Sequence, residues 1–133
     1  MSRSLCRLLL PLFLGLLLLG CSPTEKVGAP GQAVESFYQH LNERNYRAAI
    51  ALYSAEAREI LDDPNAATPA GFAEWAQLET KDGRVDSIHV VQEQAEETTA
   101  TVDYEIVYRD GTRATRNVSM TLEDGEWKLG LIG

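Results

Sequence analysis

Two cysteines, two histidines, one arginine out of pattern and a set of aromatic side chains are the groups in this 133-residue chain that could do chemistry. Cys6 and Cys21 carry the thiols. His40 and His89 carry the imidazoles, and neither has a metal-ligating partner at useful spacing. Arg116 falls between Ala114 and Val118 on the apolar parity of an alternating segment. A charge placed there needs a partner. It can reach water at the rim of a sheet, pair with an internal acid, or serve as a pocket cation for a carboxylate or other small anion. Tyr104 and Tyr108 are hydroxyl donors on the same parity, with no Asp or Glu among them, because Asp103 and Glu105 point the other way. Tyr38 and Trp75 lie on helical apolar stripes. These five residues, Arg116, Tyr104, Tyr108, Tyr38 and Trp75, are the candidate pocket. If the interior is closed, the stripes are plain core. No glycine-rich phosphate loop and no nucleophile elbow occur. No catalytic residue, metal site or cofactor is implied.

Cys21 has a more specific setting. Leu18-Leu19-Gly20-Cys21 follows Arg3, Arg7 and the apolar run Leu8 to Leu19. That run is shorter than the roughly 20 residues a spanning helix needs, so it reads as an export signal. The competing readings are an uncleaved membrane helix and a secretory signal that happens to end near a cysteine. The tetrad resembles the lipobox of bacterial lipoproteins. The resemblance implies diacylglycerol on the Cys21 thiol, cleavage between Gly20 and Cys21, and acylation, palmitate included, of the new amino group. It implies a membrane partner reached through lipid. Ser22, where inner-membrane lipoproteins commonly carry Asp, points to the periplasmic side of the outer membrane in a Gram-negative cell.

Charge agrees with that division. The formal charge is −8. Losing Arg3 and Arg7 with residues 1–20 leaves ten basic against twenty acidic residues, a charge of −10. Such a body repels nucleic acid and anionic headgroups. The mature chain keeps Cys21 alone, so it has no internal disulfide. Three parts are expected: a signal over 1–20, a lipidated cysteine and flexible tether over 21–31, and one domain over 32–133. The tether's ten residues after Cys21 would have a root-mean-square reach of about 17 Å.

The domain changes period halfway. Val34, Phe37, Tyr38 and Leu41 recur at helical spacing. Asn45 is the expected cap of a second helix bearing Ala48, Ala49, Leu52 and Tyr53. Ser54 caps a third, with Ile60 and Leu61 in its stripe, stopped by Asp63-Pro64-Asn65. Thr68-Pro69 opens a fourth, in which Phe72, Trp75, Ala76 and then Glu79 line one side, ended by Asp82-Gly83. From residue 84 the period is two. Ile88 and Val90 mark a strand over 84–92. Ala100 to Tyr108 alternate without a break. Asp110-Gly111 reads as a two-residue hairpin turn. A third strand runs over 112–122, Asp124-Gly125 makes a second turn, and Trp127, Leu129 and Leu131 form the last strand. This is an α+β layout, N-terminal helices on a twisted antiparallel meander.

At this point the chain resembles the NTF2-like (cystatin-like) superfamily, and more closely the small lipoproteins of the DUF4878 type. The residues that carry the likeness are Val34…Phe37-Tyr38…Leu41, Arg44-Asn45-Tyr46-Arg47-Ala48-Ala49, Ala100-Thr101-Val102…Tyr108-Arg109-Asp110-Gly111 and Leu122 to Leu129. They are turn and core positions, so the resemblance implies a cone-like fold more than an activity. The preferred function is a lipid-anchored envelope domain that binds a protein partner or small ligand without catalysis. The alternatives are a pocket enzyme of isomerase or dehydratase type and an envelope-assembly factor.

Overall fold

The computed structural model describes residues 28–62 and 69–132. Gly20, Cys21, the signal, most of the tether, the Asp63-Pro64-Asn65 stop and the Thr68 cap lie outside those residues. Four helices precede four strands: α1 Pro30–Asn42, α2 Tyr46–Ile50, α3 Ala55–Asp62, α4 Pro69–Thr80, then β1 Val85–Ala95, β2 Thr99–Tyr108, β3 Arg113–Glu123 and β4 Glu126–Leu129. The strands form one antiparallel sheet in the order β1-β2-β3-β4. The architecture is the α+β layout that the sequence implies.

Helix α1 buries the stripe read from its spacing: Val34, Phe37, Tyr38 and Leu41 are at most 1% exposed. It begins two residues earlier than expected, so Pro30 and Gly31 belong to the helix and not to the tether. Pro30 occupies the first helical position, where its fixed φ suits the helix and its missing N–H costs nothing. The Gly31 N–H, one of the unpaired donors of the first turn, reaches the Glu93 carboxylate of β1 at 2.5 Å. A Cβ on Gly31 would crowd the Glu93 carboxylate and lie 2.9 Å from Val90 Cγ2, so a larger residue would push this contact apart. At the other end Arg44 takes φ 61°, the Asn45 N–H closes back on His40 O at 2.8 Å and the Arg44 N–H on Leu41 O at 3.1 Å. This is a Schellman closure with arginine where glycine is usual. Asn45 therefore precedes α2 as expected, but its side chain makes no capping bond. Helix α4 ends the same way at Lys81, φ 51°. Ser54 does cap α3, its Oγ accepting from Ala57 N at 3.1 Å. That start turns Ala57 inward and leaves Ile60 43% exposed.

In the sheet, Ala100, Val102, Tyr104, Ile106 and Tyr108 are buried, as their alternation requires. Opposite them stand Met120, Val118, Arg116 and Ala114. Two bulges interrupt β1, between Val85 and Ser87 and between Val90 and Gln92. The second shifts the parity, so Glu93 faces Val102 and can reach α1. That shift breaks the alternation at Gln92, where the sequence period ends, while the strand continues to Ala95. Asp110-Gly111 is not a two-residue turn. Only Gly111 of the pair has positive φ (87°), and the hydrogen bonds Gly111 N to Tyr108 O and Tyr108 N to Thr112 O close a three-residue loop. Asp124 and Gly125, both at positive φ, do form the two-residue turn.

The last strand is shorter than expected. Leu129 is buried, its N–H donating to Leu52 O at 2.9 Å and its carbonyl accepting from Ser54 N at 2.8 Å. The chain then leaves the ladder, and Leu131 is 46% exposed. Trp127 is half-buried at the margin of the core, beside Ala33 and Leu52. Leu129→Ala should therefore cost about 2–5 kcal/mol, and Leu131→Ala about 0.5 kcal/mol or less. Urea unfolding of the two variants checks the boundary.

Candidate functional site

The polar centre is built where the C-terminal end of α4 meets β2 and β3. Phe72 and Ala76 fix the inner face of α4. One turn beyond Ala76 that face delivers Glu79, 7% exposed. From the sheet, Tyr104 and Arg116 are direct cross-strand partners. Arg116 Nε donates to Glu79 Oε1 at 2.8 Å and Nη2 to Oε2 at 3.1 Å, a bidentate pair. Arg116 Nη1 donates to its neighbour's carbonyl, Thr115 O, at 2.9 Å. The Tyr38 hydroxyl from α1 donates to Glu79 Oε1 at 2.9 Å and shares a 2.8 Å hydrogen bond with the Tyr104 hydroxyl. The Tyr108 hydroxyl donates to the Glu79 backbone carbonyl at 2.6 Å. The internal acid is thus the partner that Arg116 takes.

Burial sets the electrostatics. It pushes the Tyr38 hydroxyl far above its ordinary value, reinforced by Tyr104 and Glu79. It raises Tyr104 as well, against the lowering effect of the Tyr38 bond. Arg116 is raised further by its bonds to Glu79. All of these groups therefore keep their protons across the physiological range. A general base needs a free lone pair aimed at a substrate, and an oxyanion donor needs a hydroxyl aimed at empty space. Here Glu79 Oε1 accepts from Arg116 and Tyr38, Oε2 accepts from Arg116, and the two tyrosines bond to each other.

Of the five candidate pocket residues, the fold brings four to this cluster: Arg116, Tyr104, Tyr108 and Tyr38. Trp75 goes elsewhere, into an aromatic group with Phe72 (ring centroids 5.5 Å) and Phe37 (6.4 Å). Surface depressions of about 240–420 Å³ lie between α1 and β1, on α4, beside Trp127 and beside Ile60. Tyr38 lines the one between α1 and β1, and none of the four is lined by Arg116, Tyr104, Tyr108 or Trp75. His89 is exposed on the outer sheet face, as its phase indicates. His40 is half-buried, with Nδ1 lacking a hydrogen-bond partner among the described residues. Sequence reasoning placed Glu79 on the inner stripe of its helix but gave it no role. The usable signal was a carboxylate on that stripe and a guanidinium on the apolar parity of the sheet, each of which needs the other.

The chain belongs to the DUF4878 family, a domain of unknown function, whose profile matches residues 22–130. No curated protein matches it. Among solved structures it is similar to a SEC-C motif containing protein from Rhodopseudomonas palustris, with 12% identity over 80% of this chain and 79% of the other, at a TM-score of 0.60. It is also similar to a Campylobacter jejuni protein whose name places it with the NTF2-like transpeptidases, with 13% identity over 78% and 99% of the two chains, at a TM-score of 0.46. The first likeness shows a shared fold and nothing about activity. Nothing is drawn from the second.

Two outcomes follow from the cluster. Arg116→Met strands the Glu79 carboxylate in the interior and should cost about 3–5 kcal/mol, whereas the double variant Arg116→Met, Glu79→Leu should recover most of it. Chemical denaturation of the single and double variants reads both. The raised tyrosines also make the fold alkali-sensitive. Below about pH 10, the ordinary tyrosine value, folded and unfolded chains both hold the phenolic protons. Above it the unfolded chain releases protons that the folded chain keeps, so stability falls by about 1.4 kcal/mol per pH unit for each such tyrosine. Urea melts from about pH 9 to about pH 11 should show that fall. Tyr38→Phe should make it shallower.

Proposed function

We propose that this protein is a lipid-anchored envelope lipoprotein whose domain binds a protein partner through its surface and is not an enzyme. The binding half of this reading rests on one observation: the polar side chains at the centre are spent on one another, Arg116 on Glu79 and Tyr38 on Tyr104. Arg116 is half-buried, and a small anion there would have to compete with its bidentate bond to the buried Glu79 carboxylate. Surface recognition asks for no such competition. The lipid half rests on Leu18-Leu19-Gly20-Cys21 and on the eight residues that separate Cys21 from Pro30 of α1. So short a connection keeps the domain close to the bilayer that holds the lipid. Ser22 supports transfer to the outer membrane, facing the periplasm, in a cell that has one.

Cys21→Ala should accumulate as an unprocessed precursor that takes up no labelled palmitate. Crosslinking in the intact envelope should join the wild-type chain to a discrete partner, and that product should be lost in the variant. Normal processing and membrane retention of Cys21→Ala would remove the lipoprotein reading.

A further inference from the structure

The sheet has one covered edge and one open edge. Along β4 the segment 52–54 closes the ladder, with Tyr53 bridged in parallel to Leu129. Along β1 only the first position is closed. The Asn42 side chain accepts from Val85 N at 2.9 Å and donates to Val85 O at 3.3 Å, the two bonds a neighbouring strand residue would make. Helix α1 runs back along β1 from there, with Gly31 at its start meeting Glu93, and neither Gln39, which bonds to Glu43, nor Glu35 repeats the pair at the next outward positions.

Alternation shows where those positions are. Tyr108 N bonds to Thr112 O across the β2–β3 hairpin, so its backbone faces β3. The β2–β3 register runs without a shift, so Ile106 and Tyr104 face β3 too. Their partners on β1 are Ile88 and Val90. The N–H and C=O groups of Ile88 and Val90 therefore point away from β2, and no hydrogen-bond partner is found for them among the described residues. The bulges at Val85/Ser87 and Val90/Gln92 bracket this regular stretch. Bulges shorten the template that an open edge offers.

A groove of about 360 Å³ runs beside the same stretch. Glu35, Gln39 and Asn42 of α1 form one wall, and Asp86, Ser87 and Ile88 of β1 the other. Its lining holds two carboxylates and no cation. We infer that the β1 edge from Asp86 to Val90 is a docking strand for a short, extended, basic segment of a partner protein. The inference rests on the surface-binding reading above and gives that binding a place. Unpaired backbone groups at strand spacing match another peptide backbone, the mode in which main-chain bonds give affinity and alternate side chains give specificity. Lysine or arginine on the added segment would meet Glu35 and Asp86. The acidic body, −8 over the whole chain, steers such a segment inward. A second copy is disfavoured, because it would bring a body of the same negative charge, with the same two groove carboxylates, to this edge.

Amide hydrogen exchange on the full-length chain in detergent tests this, with a synthetic hexapeptide alternating lysine and valine as the probe. In the free chain Ile88 and Val90 should exchange fast beside protected β2 amides. At about ten times its Kd the peptide should slow them by about tenfold. N-methylation of alternate peptide amides should abolish the effect. A glutamate-valine peptide should give none, and Glu35→Lys with Asp86→Lys, both exposed positions, should reverse the preference. Slow exchange without peptide would overturn the inference, since the edge would already be occupied. The mass of the particle then tells a second copy from the chain's own tether. No protection by the lysine peptide, or protection indifferent to the charge reversals, would overturn it as well. The measurement does not depend on lipid, so it stands or falls apart from the palmitate result at Cys21. A partner crosslinked in the envelope through probes on β4, with β1 amides unaffected, would retain surface binding and remove this site.

Discussion

A charge that the sheet places on its inner face has to be matched, and the pairing of Arg116 with Glu79 is how this fold matches it. The two residues come from different layers, so their bidentate contact fixes the rotation of α4 about its axis and its height over β2 and β3. Tyr38 then ties α1 to the same carboxylate and Tyr104 ties the tyrosine pair to the sheet. Such a network contributes less net stability than an apolar filling of equal volume would. It contributes selectivity instead. A slip of α4 by one residue, or of β3 by one register position, leaves the buried Glu79 carboxylate without its guanidinium.

Much of this was legible in the chain. The helical stripe from Val34 to Leu41 and the alternation from Ala100 to Tyr108 state their own periods, and both are buried as those periods demand. The Asp124-Gly125 turn is readable because its two residues tolerate positive φ. Arg116 was visible as a break in pattern, and the need for a partner followed from electrostatics alone. The partner's identity depended on how α4 lies over the sheet, which one-dimensional spacing does not contain.

The departures from local pattern have few causes. Most occurred where a tertiary contact or a change in hydrogen-bond register outweighs local pattern. Pro30 and Gly31 look like tether but are drawn into α1 by Glu93, which itself faces inward only because a bulge shifts β1. Leu131 looks like a continuation of β4 but falls beyond the last ladder bond, at Gly130 N to Ser119 O. Asp110-Gly111 looks like a tight hairpin turn, yet the loop takes an extra residue. The bulges in β1 are likewise silent in composition, although they decide which side chains face inward and how much of the edge stays open.

The separation along the chain between α1 and what covers it has a consequence for biosynthesis. Tyr38 meets Tyr104 across 66 positions, and the cover of the helical layer is complete only when Leu129 has joined Tyr53. A chain that emerges from its N-terminus forward presents Val34, Phe37, Tyr38 and Leu41 as a bare apolar stripe until nearly all of the rest has followed. The strands, by contrast, are joined by short hairpins and can pair as they appear. The last fifth of the chain therefore governs when its first helix stops being a hazard.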